Sequence, residues 1–259
     1  MRLLIIGDII GRPGRRAVYR FLEEKGGGFD VVLANVENAA GGFGVTKKVY
    51  EELKSHGIDV FTSGNHIWDK KEVYEFIDKV DDLLRPANYP EGVPGNGFCV
   101  CEKGGVKLGV VNLMGRIFLE PNLDNPFRTF DVIYEELKDR VDVLVVDFHA
   151  ETTSEKWAFG IYADGRASVV YGTHTHIPTA DEFILKGGTA YVSDVGMTGA
   201  WYSVIGMHYK EPIDRFLYAL PRKFKVEDKE PVVFNAIEVE VDPDTGRALK
   251  ISRIKEMYE

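Results

Sequence analysis

The sequence contains little cysteine and no long hydrophobic run. Its two cysteines, Cys99 and Cys101, are separated by one residue in a strand-like segment, which is a poor geometry for a disulfide bond. No segment approaches the roughly 20 apolar residues that a membrane-spanning helix needs. The apolar run at the N-terminus ends at Asp8 and is too short for a signal-peptide core. We therefore expect a cytoplasmic protein without membrane association.

The sequence also lacks an excess of positive charge. Asp and Glu outnumber Lys and Arg by 41 to 32, which gives a formal net charge of -9. Binding to duplex nucleic acid depends on basic residues that neutralise phosphates, so this composition argues against a dedicated nucleic-acid-binding protein. A small phosphorylated ligand remains compatible with it, because a bound metal ion can neutralise the charge locally.

No internal repeat, low-complexity segment or interdomain linker divides the 259 residues. The first half alternates apolar strands with amphipathic helices, and the remainder is predicted to be largely strands. We expect an α/β fold with layered sheets and helices, formed by a single domain over residues 1–259. The clearest predicted strands are LLII (3–6), VVLAN (31–35), DVFTSG (59–64) and VDVLVVDF (141–148).

Several predicted helices begin at residues that commonly cap helices. Thr46 and Thr152 are such residues, and Asn125-Pro126 is a start signal for a helix that runs to about Arg140. Asp69 is interpreted as another cap rather than as a partner of His66. A further helix is predicted where apolar side chains recur at helical spacing between positions 73 and 80.

Polar side chains that can bind metal ions follow successive predicted strands. They are Asp8, Glu37, Asn38, Asn65, His66, His149, His174 and His176. The carboxyl ends of parallel strands line the ligand crevice of α/β sheets, so we expect these side chains to converge. His174 and His176 are two positions apart, and in an extended strand they would point to the same face. Two imidazoles on one face are typical of a metal site.

The mixture of ligand types favours a particular kind of metal centre. Carboxylates, imidazoles and amides without a thiolate exceed what a single tetrahedral zinc site uses. They suit two divalent ions about 3.5–4 Å apart that share a carboxylate, bind a phosphate and generate a bridging hydroxide for in-line attack. His66, which follows the candidate ligand Asn65, is of a suitable type to protonate the leaving oxygen.

Two short motifs and several longer blocks resemble those of a known enzyme family. Gly64-Asn65-His66 and Gly172–His176 are similar to the GNH and GHxH motifs of calcineurin-like metallophosphoesterases. Within that superfamily the sequence most resembles the YmdB-like bacterial phosphodiesterases. The matching blocks are GDIIGRPGR (7–15), NVENAAGGFG (35–44), SGNHIWDKKE (63–72), RPANYP (85–90), DFHAETTSEK (147–156), GTHTH (172–176) and SDVGMTG (193–199).

The resemblance implies a metallophosphoesterase fold and a role for each polar residue. The implied ligands of the first metal ion are Asp8, Glu37, Asn38 and His176. The implied ligands of the second are Glu37 as the bridge, Asn65, His149 and His174. His66 would be the proton donor. The sequence departs from the wider superfamily at Ile10, where a histidine is usual, and Asn38 is the expected substitute.

The activity implied by the resemblance is hydrolysis of small phosphodiesters, in particular of 2′,3′-cyclic nucleotides to 3′-nucleotides. The implied cofactors are two divalent or trivalent metal ions, iron or manganese rather than zinc or magnesium. Short RNA ends are a further candidate substrate. A homo-oligomer is expected, because soluble enzymes of this size commonly self-associate.

Alternatives to this function remain open. A phosphomonoesterase of the same fold would use the same residues, and a regulatory scaffold protein could use a metal site for folding or partner binding. An amidohydrolase is less consistent, because its HxH pair usually opens the first strand of a barrel. Arg12 and Arg116 are interpreted as surface charges rather than phosphate contacts. Trp68 and Phe43 are interpreted as packing residues rather than as base-stacking ones.

Overall fold

The computed structural model describes residues 1–259 and contains thirteen strands and six α-helices. The strands are β1 (Arg2–Ile6), β2 (Asp8–Ile9), β3 (Val31–Asn35), β4 (Val60–Thr62), β5 (Phe98–Lys103), β6 (Val106–Met114), β7 (Val143–His149), β8 (Val169–Thr173), β9 (Phe183–Ile184), β10 (Ala190–Val192), β11 (Met197–Ala200), β12 (Val232–Asp242) and β13 (Arg247–Tyr258). The helices are α1 (Gly11–Lys25), α2 (Lys47–Ser55), α3 (Val73–Phe76), α4 (Pro126–Leu137), α5 (Thr153–Ala163) and α6 (Lys210–Tyr218).

The strands form two sheets. The first has the order β2-β11-β12-β1-β3-β4, and β13 also pairs with β12. The second has the order β5-β6-β7-β8-β10-β9. Neighbouring strands are parallel from β1 through β3 to β4 in the first sheet and from β6 through β7 and β8 to β10 in the second. Each sheet therefore has a run of parallel strands whose carboxyl ends lie on one edge.

The two sheets pack face to face and are covered by helices on their outer sides. In β1, Leu3 and Ile5 lie in the core between the sheets, whereas Leu4 and Ile6 lie in the core under α1, α2 and α3. Strand β7 divides its side chains in the same way, between the central core and a third core under α4 and α5. This alternation confirms the prediction of an α/β fold with layered sheets and helices.

The helix start signals are mostly confirmed. The side chains of Thr46, Asn125 and Thr152 each accept a hydrogen bond from a backbone N–H in the first turn of α2, α4 and α5. Helix α4 ends at Leu137, earlier than predicted. The helix predicted between positions 73 and 80 is shorter, because α3 gives way to a 3₁₀ turn at Ile77–Lys79. No helix in the structure combines the length and the apolar character that crossing a bilayer requires.

The carboxyl ends of the parallel strands from both sheets meet at one end of the molecule. Asn35, the last residue of β3 in the first sheet, donates a hydrogen bond from Nδ2 to Oδ2 of Asp147 in β7 of the second sheet at 3.3 Å. Thr62, at the end of β4, donates to the same carboxylate. The segments that follow these strands are consequently brought together over the seam between the sheets.

Candidate metal centre

The predicted site residues gather at this seam, and we call Asp8, Glu37, Asn38, Asn65, His66, His149, His174 and His176 the strand-end cluster. Its centre is Nε2 of His149, which ends β7. That nitrogen lies 3.2 Å from Oε1 of Glu37, 3.0 Å from Oδ1 of Asn65 and 3.1 Å from Nδ1 of His174. Possible ligand atoms from three other strand ends therefore lie around this nitrogen, and those of Glu37, His149 and His174 are all within 4.8 Å of one another.

A second part of the strand-end cluster lies around Asp8. Its Oδ1 is 3.9 Å from Nε2 of His176, and its Oδ2 accepts a hydrogen bond from the backbone N–H of His174 at 3.2 Å. Asn38 donates from Nδ2 to the carbonyl of Gly42 at 2.9 Å, so its amide orientation is fixed. The hydrogen bond from the backbone N–H of His174 to the carboxylate of Asp8 connects this part of the cluster to the part around His149.

Outer hydrogen bonds indicate which nitrogens of two histidines carry a proton. The hydroxyl of Thr173 donates to Oδ1 of Asp147 at 2.7 Å, so Nδ1–H of His149 donates to that hydroxyl at 2.9 Å. Nε2 of His174 lies 3.0 Å from Oε2 of Glu151, a carboxylate that can only accept. In this arrangement Nε2 of His149 and Nδ1 of His174 each direct a lone pair toward the other. A cation bound between them would remove the repulsion between these lone pairs.

Three buried oxygens of the strand-end cluster have no hydrogen-bond partner. They are Oδ1 of Asp8, Oε1 of Glu37 and Oδ1 of Asn38. Leaving a buried polar atom unsatisfied is unfavourable, and more so for a charged one. Oxygen ligands together with imidazole nitrogens suit divalent cations such as manganese or iron, so the residues present fit metal binding.

The charges of the cluster also favour bound cations. Burial raises the pKa of Asp8 and raises that of Asp147 to about 7. Burial opposes ionisation of Glu37 and His149 as well, but their mutual attraction outweighs it and sets their pKa values to about 2 and about 9. Burial and the charge of His149 lower the pKa of His174 to about 3. A metal ion bound at the lone pair of Nε2 would balance the carboxylates in place of the proton that this raised pKa otherwise puts on His149.

His66 lies at the edge of the strand-end cluster, and its ring contacts a neighbouring carboxylate. Its Nδ1 lies 2.8 Å from Oδ2 of Asp69, so Nδ1–H donates and Nε2 remains available to a ligand. Its backbone N–H donates to Oε2 of Glu37 at 2.9 Å. The prediction that Asp69 caps a helix is wrong, because residues 65–68 form a turn that brings its carboxylate to His66, and α3 begins only at Val73.

The segment that carries His174 and His176 is not an extended strand. Strand β8 ends at Thr173, and His174 and His176 have φ values of 101° and 66°. Such left-handed conformations are uncommon for residues other than glycine. The expectation that the two imidazoles share one face of a strand is therefore wrong, although both side chains still reach the strand-end cluster. Surrounding contacts must hold this backbone in place.

A buried ion pair that the sequence analysis missed holds that segment. Lys156, on α5, is 2% exposed and donates from Nζ to Oδ2 of Asp194 at 2.6 Å and to the carbonyl of Thr173 at 2.8 Å. Asp194 also accepts from the backbone N–H and the hydroxyl of Thr175 at 3.1 and 2.8 Å. Both charged residues lie in blocks that resemble the family, but their spacing gave no sign that they pair.

A cavity of about 530 Å³ opens over the strand-end cluster. Five cluster residues line it, namely Glu37, Asn38, His66, His174 and His176. Half of the other ten lining residues form an apolar wall, which we define as Phe43, Ile205, Met207, Phe216 and Phe224. Phe43 was interpreted from the sequence as a packing residue, and the other four were not predicted, because the five positions share no common period. Glu151 and Arg215, which were also not predicted, line the cavity, whereas Arg12 and Arg116 do not.

Comparison with protein families identifies the chain. The family described as YmdB-like protein matches residues 4–254, which is nearly the whole length. The chain belongs to the YmdB-like family. This membership confirms the resemblance seen in the sequence blocks.

Relatives of this YmdB-like chain match it from end to end. A 2′,3′-cyclic-nucleotide 2′-phosphodiesterase from Bacillus subtilis (strain 168) is 46% identical over 256 residues, which cover 98% of this chain and 96% of the relative. The crystal structure of a hypothetical protein from Thermus thermophilus has a TM-score of 0.94 at 44% identity and full coverage of both chains. That of a novel phosphatase from Mycoplasma pneumoniae has a TM-score of 0.93 at 35% identity, covering 99% of this chain and 93% of that one.

Proposed function

We propose that the protein is a dinuclear metal-dependent phosphodiesterase that hydrolyses 2′,3′-cyclic nucleotides to 3′-nucleotides. The observation that carries the proposal is the convergence of Glu37, Asn65 and His174 on one nitrogen of His149, beside buried oxygens that lack hydrogen-bond partners. The name of the Bacillus relative supports the substrate class. The cavity over the cluster is within the size range of small-molecule sites.

The proposed ligands divide the strand-end cluster between two ions. Those of the first ion are Asp8, Glu37, Asn38 and His176. Those of the second are Glu37 as the shared ligand, Asn65, His149 and His174. We propose iron or manganese, because the ligands are oxygen and imidazole without a thiolate. When bound, two such cations neutralise phosphate oxygens and activate water for attack on phosphorus.

The protein's own groups position the substrate and deliver a proton. In the proposed reaction, water oxygen forms a bond to phosphorus and the bond from phosphorus to the ribose 2′ oxygen breaks. Nε2 of His66 gives its proton to that departing oxygen, the attacking water releases one proton to the solvent, and His66 is reprotonated from solvent after the reaction. Asp69, 2.8 Å from Nδ1, fixes the ring orientation and stabilises the protonated imidazole.

A phosphomonoesterase of the same fold is a second candidate. The Mycoplasma pneumoniae structure, 35% identical to this chain, is described as a novel phosphatase. Rates on mono- and bis(p-nitrophenyl) phosphate separate the two functions. The proposed phosphodiesterase should prefer the diester, and a clear preference for the monoester would favour the alternative.

The role of His66 is tested by His66→Ala in metal-loaded protein. We expect turnover of 2′,3′-cyclic AMP to fall about 10²- to 10⁴-fold, as for loss of a general acid, while elemental analysis shows an unchanged metal content. The loss should be smaller on bis(p-nitrophenyl) phosphate, whose leaving group needs no proton. Full activity of the variant on the cyclic nucleotide would contradict the assignment, and a loss of metal would instead indicate a ligand.

A further inference from the structure

The cavity joins two chemically different surfaces. In one part of the cavity lining, the strand-end cluster contributes carboxylate, amide and imidazole groups. In the other part, the apolar wall contributes three phenylalanines, an isoleucine and a methionine. A ligand that fills it must have a charged end and a flat or apolar end. A nucleoside phosphate has this composition, with the phosphate at one end and the base at the other.

One aromatic ring of the apolar wall is largely open to solvent. Phe216 is 83% exposed although it lines the cavity. A phenylalanine in this position adds little to the core of the protein, whereas its face is available for stacking. Successive bases stack on exposed aromatic side chains in many nucleic-acid-binding proteins, and the contact tolerates any base because every base has a π-face.

An arginine next to the apolar wall favours a base over a purely apolar group as the ligand. Arg215, which precedes Phe216 on α6, also lines the cavity, and its guanidinium carbon lies 5.6 Å from the ring centroid of Phe224. A guanidinium held over an aromatic ring presents N–H donors in one plane. Bases carry ring nitrogens and carbonyl oxygens that accept such bonds, whereas an alkyl chain or a lipid tail does not.

We propose that Phe216 and Arg215 form a subsite for the base of the nucleotide substrate. The base stacks on the ring of Phe216, and Arg215 donates hydrogen bonds to acceptors on the edge of the base. Phe43, whose ring centroid is 5.0 Å from that of His66, lies next to the proposed proton donor. The subsite rests on the proposed function, because the phosphate must lie at the strand-end cluster for the base to reach the wall.

The experiment compares two substrates that differ only in the base. They are 2′,3′-cyclic AMP and methyl ribofuranoside 2,3-cyclic phosphate. Phe216→Ala should lower kcat/KM for the nucleotide about 5- to 150-fold, mainly through KM, the range expected for loss of one stacked base. On the base-free substrate the same variant should change kcat/KM less than about twofold. Phe216→Trp should restore the preference for the nucleotide.

Leu217→Ala provides a matched control. Leu217 is the next residue on α6 and is 68% exposed, but it does not line the cavity. We expect this variant to behave like the wild type on both substrates. Equal losses on the two substrates in Phe216→Ala, or the same losses in Leu217→Ala, would overturn the subsite. A changed oligomeric state that accompanies the loss would also overturn it, since the wall would then be an interface between copies.

Failure of the proposed function gives a different result. If metal-loaded wild-type protein hydrolyses neither substrate, the proposed function is wrong. The subsite is then tested by ligand affinity instead of by activity. Calorimetric binding of adenosine 3′-monophosphate should then still be weaker for Phe216→Ala than for the wild type. Equal affinities of the two proteins for this ligand would overturn the subsite.

Discussion

The strand-end cluster and the apolar wall line one cavity but are built differently. In the cluster, Asp8, Glu37 and His149 are fully buried and are positioned by the ends of strands from two packed sheets. In the wall, Phe216 lies on the exposed side of the short helix α6, Ile205 lies in the irregular segment before it, and both are exposed to solvent. Rigid elements hold reacting groups to the accuracy that chemistry needs, and loops adapt to ligands. We infer that the cluster determines the reaction and the wall determines the substrate.

The largest effect is expected from Glu37→Gln, because Glu37 is the shared ligand of the proposed centre. The change removes one charge from a site in which Oε1 has no hydrogen-bond partner. Loss of a residue that only hydrogen-bonds to a metal ligand lowers activity by up to roughly 100-fold. The loss for Glu37→Gln should be larger, and elemental analysis should show a lower metal content. Unchanged metal content and rate would contradict the shared ligand.

Glu151→Gln is the matched control for that change. Glu151 contacts only the outer nitrogen of His174 at 3.0 Å and is partly exposed. The variant should retain metal, with a loss of at most about 100-fold. Equal effects of the two substitutions would show that burial in the cluster gives Glu37 no special role.

A smaller effect on chemistry is expected from Lys156→Met, which tests whether the cluster depends on its buried support. The change leaves the carboxylate of Asp194 buried without its partner, which costs about 3–5 kcal/mol in the free energy of unfolding. Metal affinity should fall about 10- to 100-fold, because the segment that carries His174 and His176 loses an anchor. Thermal unfolding and calorimetric metal titration measure the two effects.

A double variant separates stability from positioning. Lys156→Met combined with Asp194→Asn removes both buried charges, so part of the lost stability should return. Metal affinity should stay low, because the hydrogen bond from Nζ to the Thr173 carbonyl remains absent. Wild-type metal affinity in both variants would show that the cluster holds its shape without this pair.

The sequence predicted the cluster far better than its surroundings. Strand VVLAN (31–35) was predicted with its correct bounds, because buried parallel strands are continuous apolar runs with sharp ends. The polar residues that follow such strands could therefore be placed on one edge. The left-handed conformation of His174 could not be foreseen, because it depends on contacts with Asp194 and Lys156 from distant parts of the chain. The single domain over residues 1–259, self-association and short RNA ends as substrates stay predictions.

The apolar wall was missed for a related reason. Its members come from positions 43 to 224 and share neither a helical nor a strand period, and Phe216 lies on the exposed side of α6. Periodicity identifies residues that face a core, and these residues face a cavity. Only the tertiary structure relates them to the cluster.

The smallest effect is expected from Asp69→Asn, which changes an exposed carboxylate next to the cluster residue His66. The side chain of Asp69 is 43% exposed, and its carboxylate accepts one hydrogen bond from Nδ1–H of His66, whereas the bond from its backbone N–H to the His66 carbonyl does not depend on the side chain. Exposed ion pairs contribute no more than about 1 kcal/mol, so turnover of 2′,3′-cyclic AMP should fall less than about tenfold, with metal content unchanged. A loss of turnover as large as that of His66→Ala would mean that the exposed carboxylate of Asp69 is as important for the reaction as His66 itself. Asp69 would then have to be counted as part of the rigid reaction site rather than as an adaptable residue outside it.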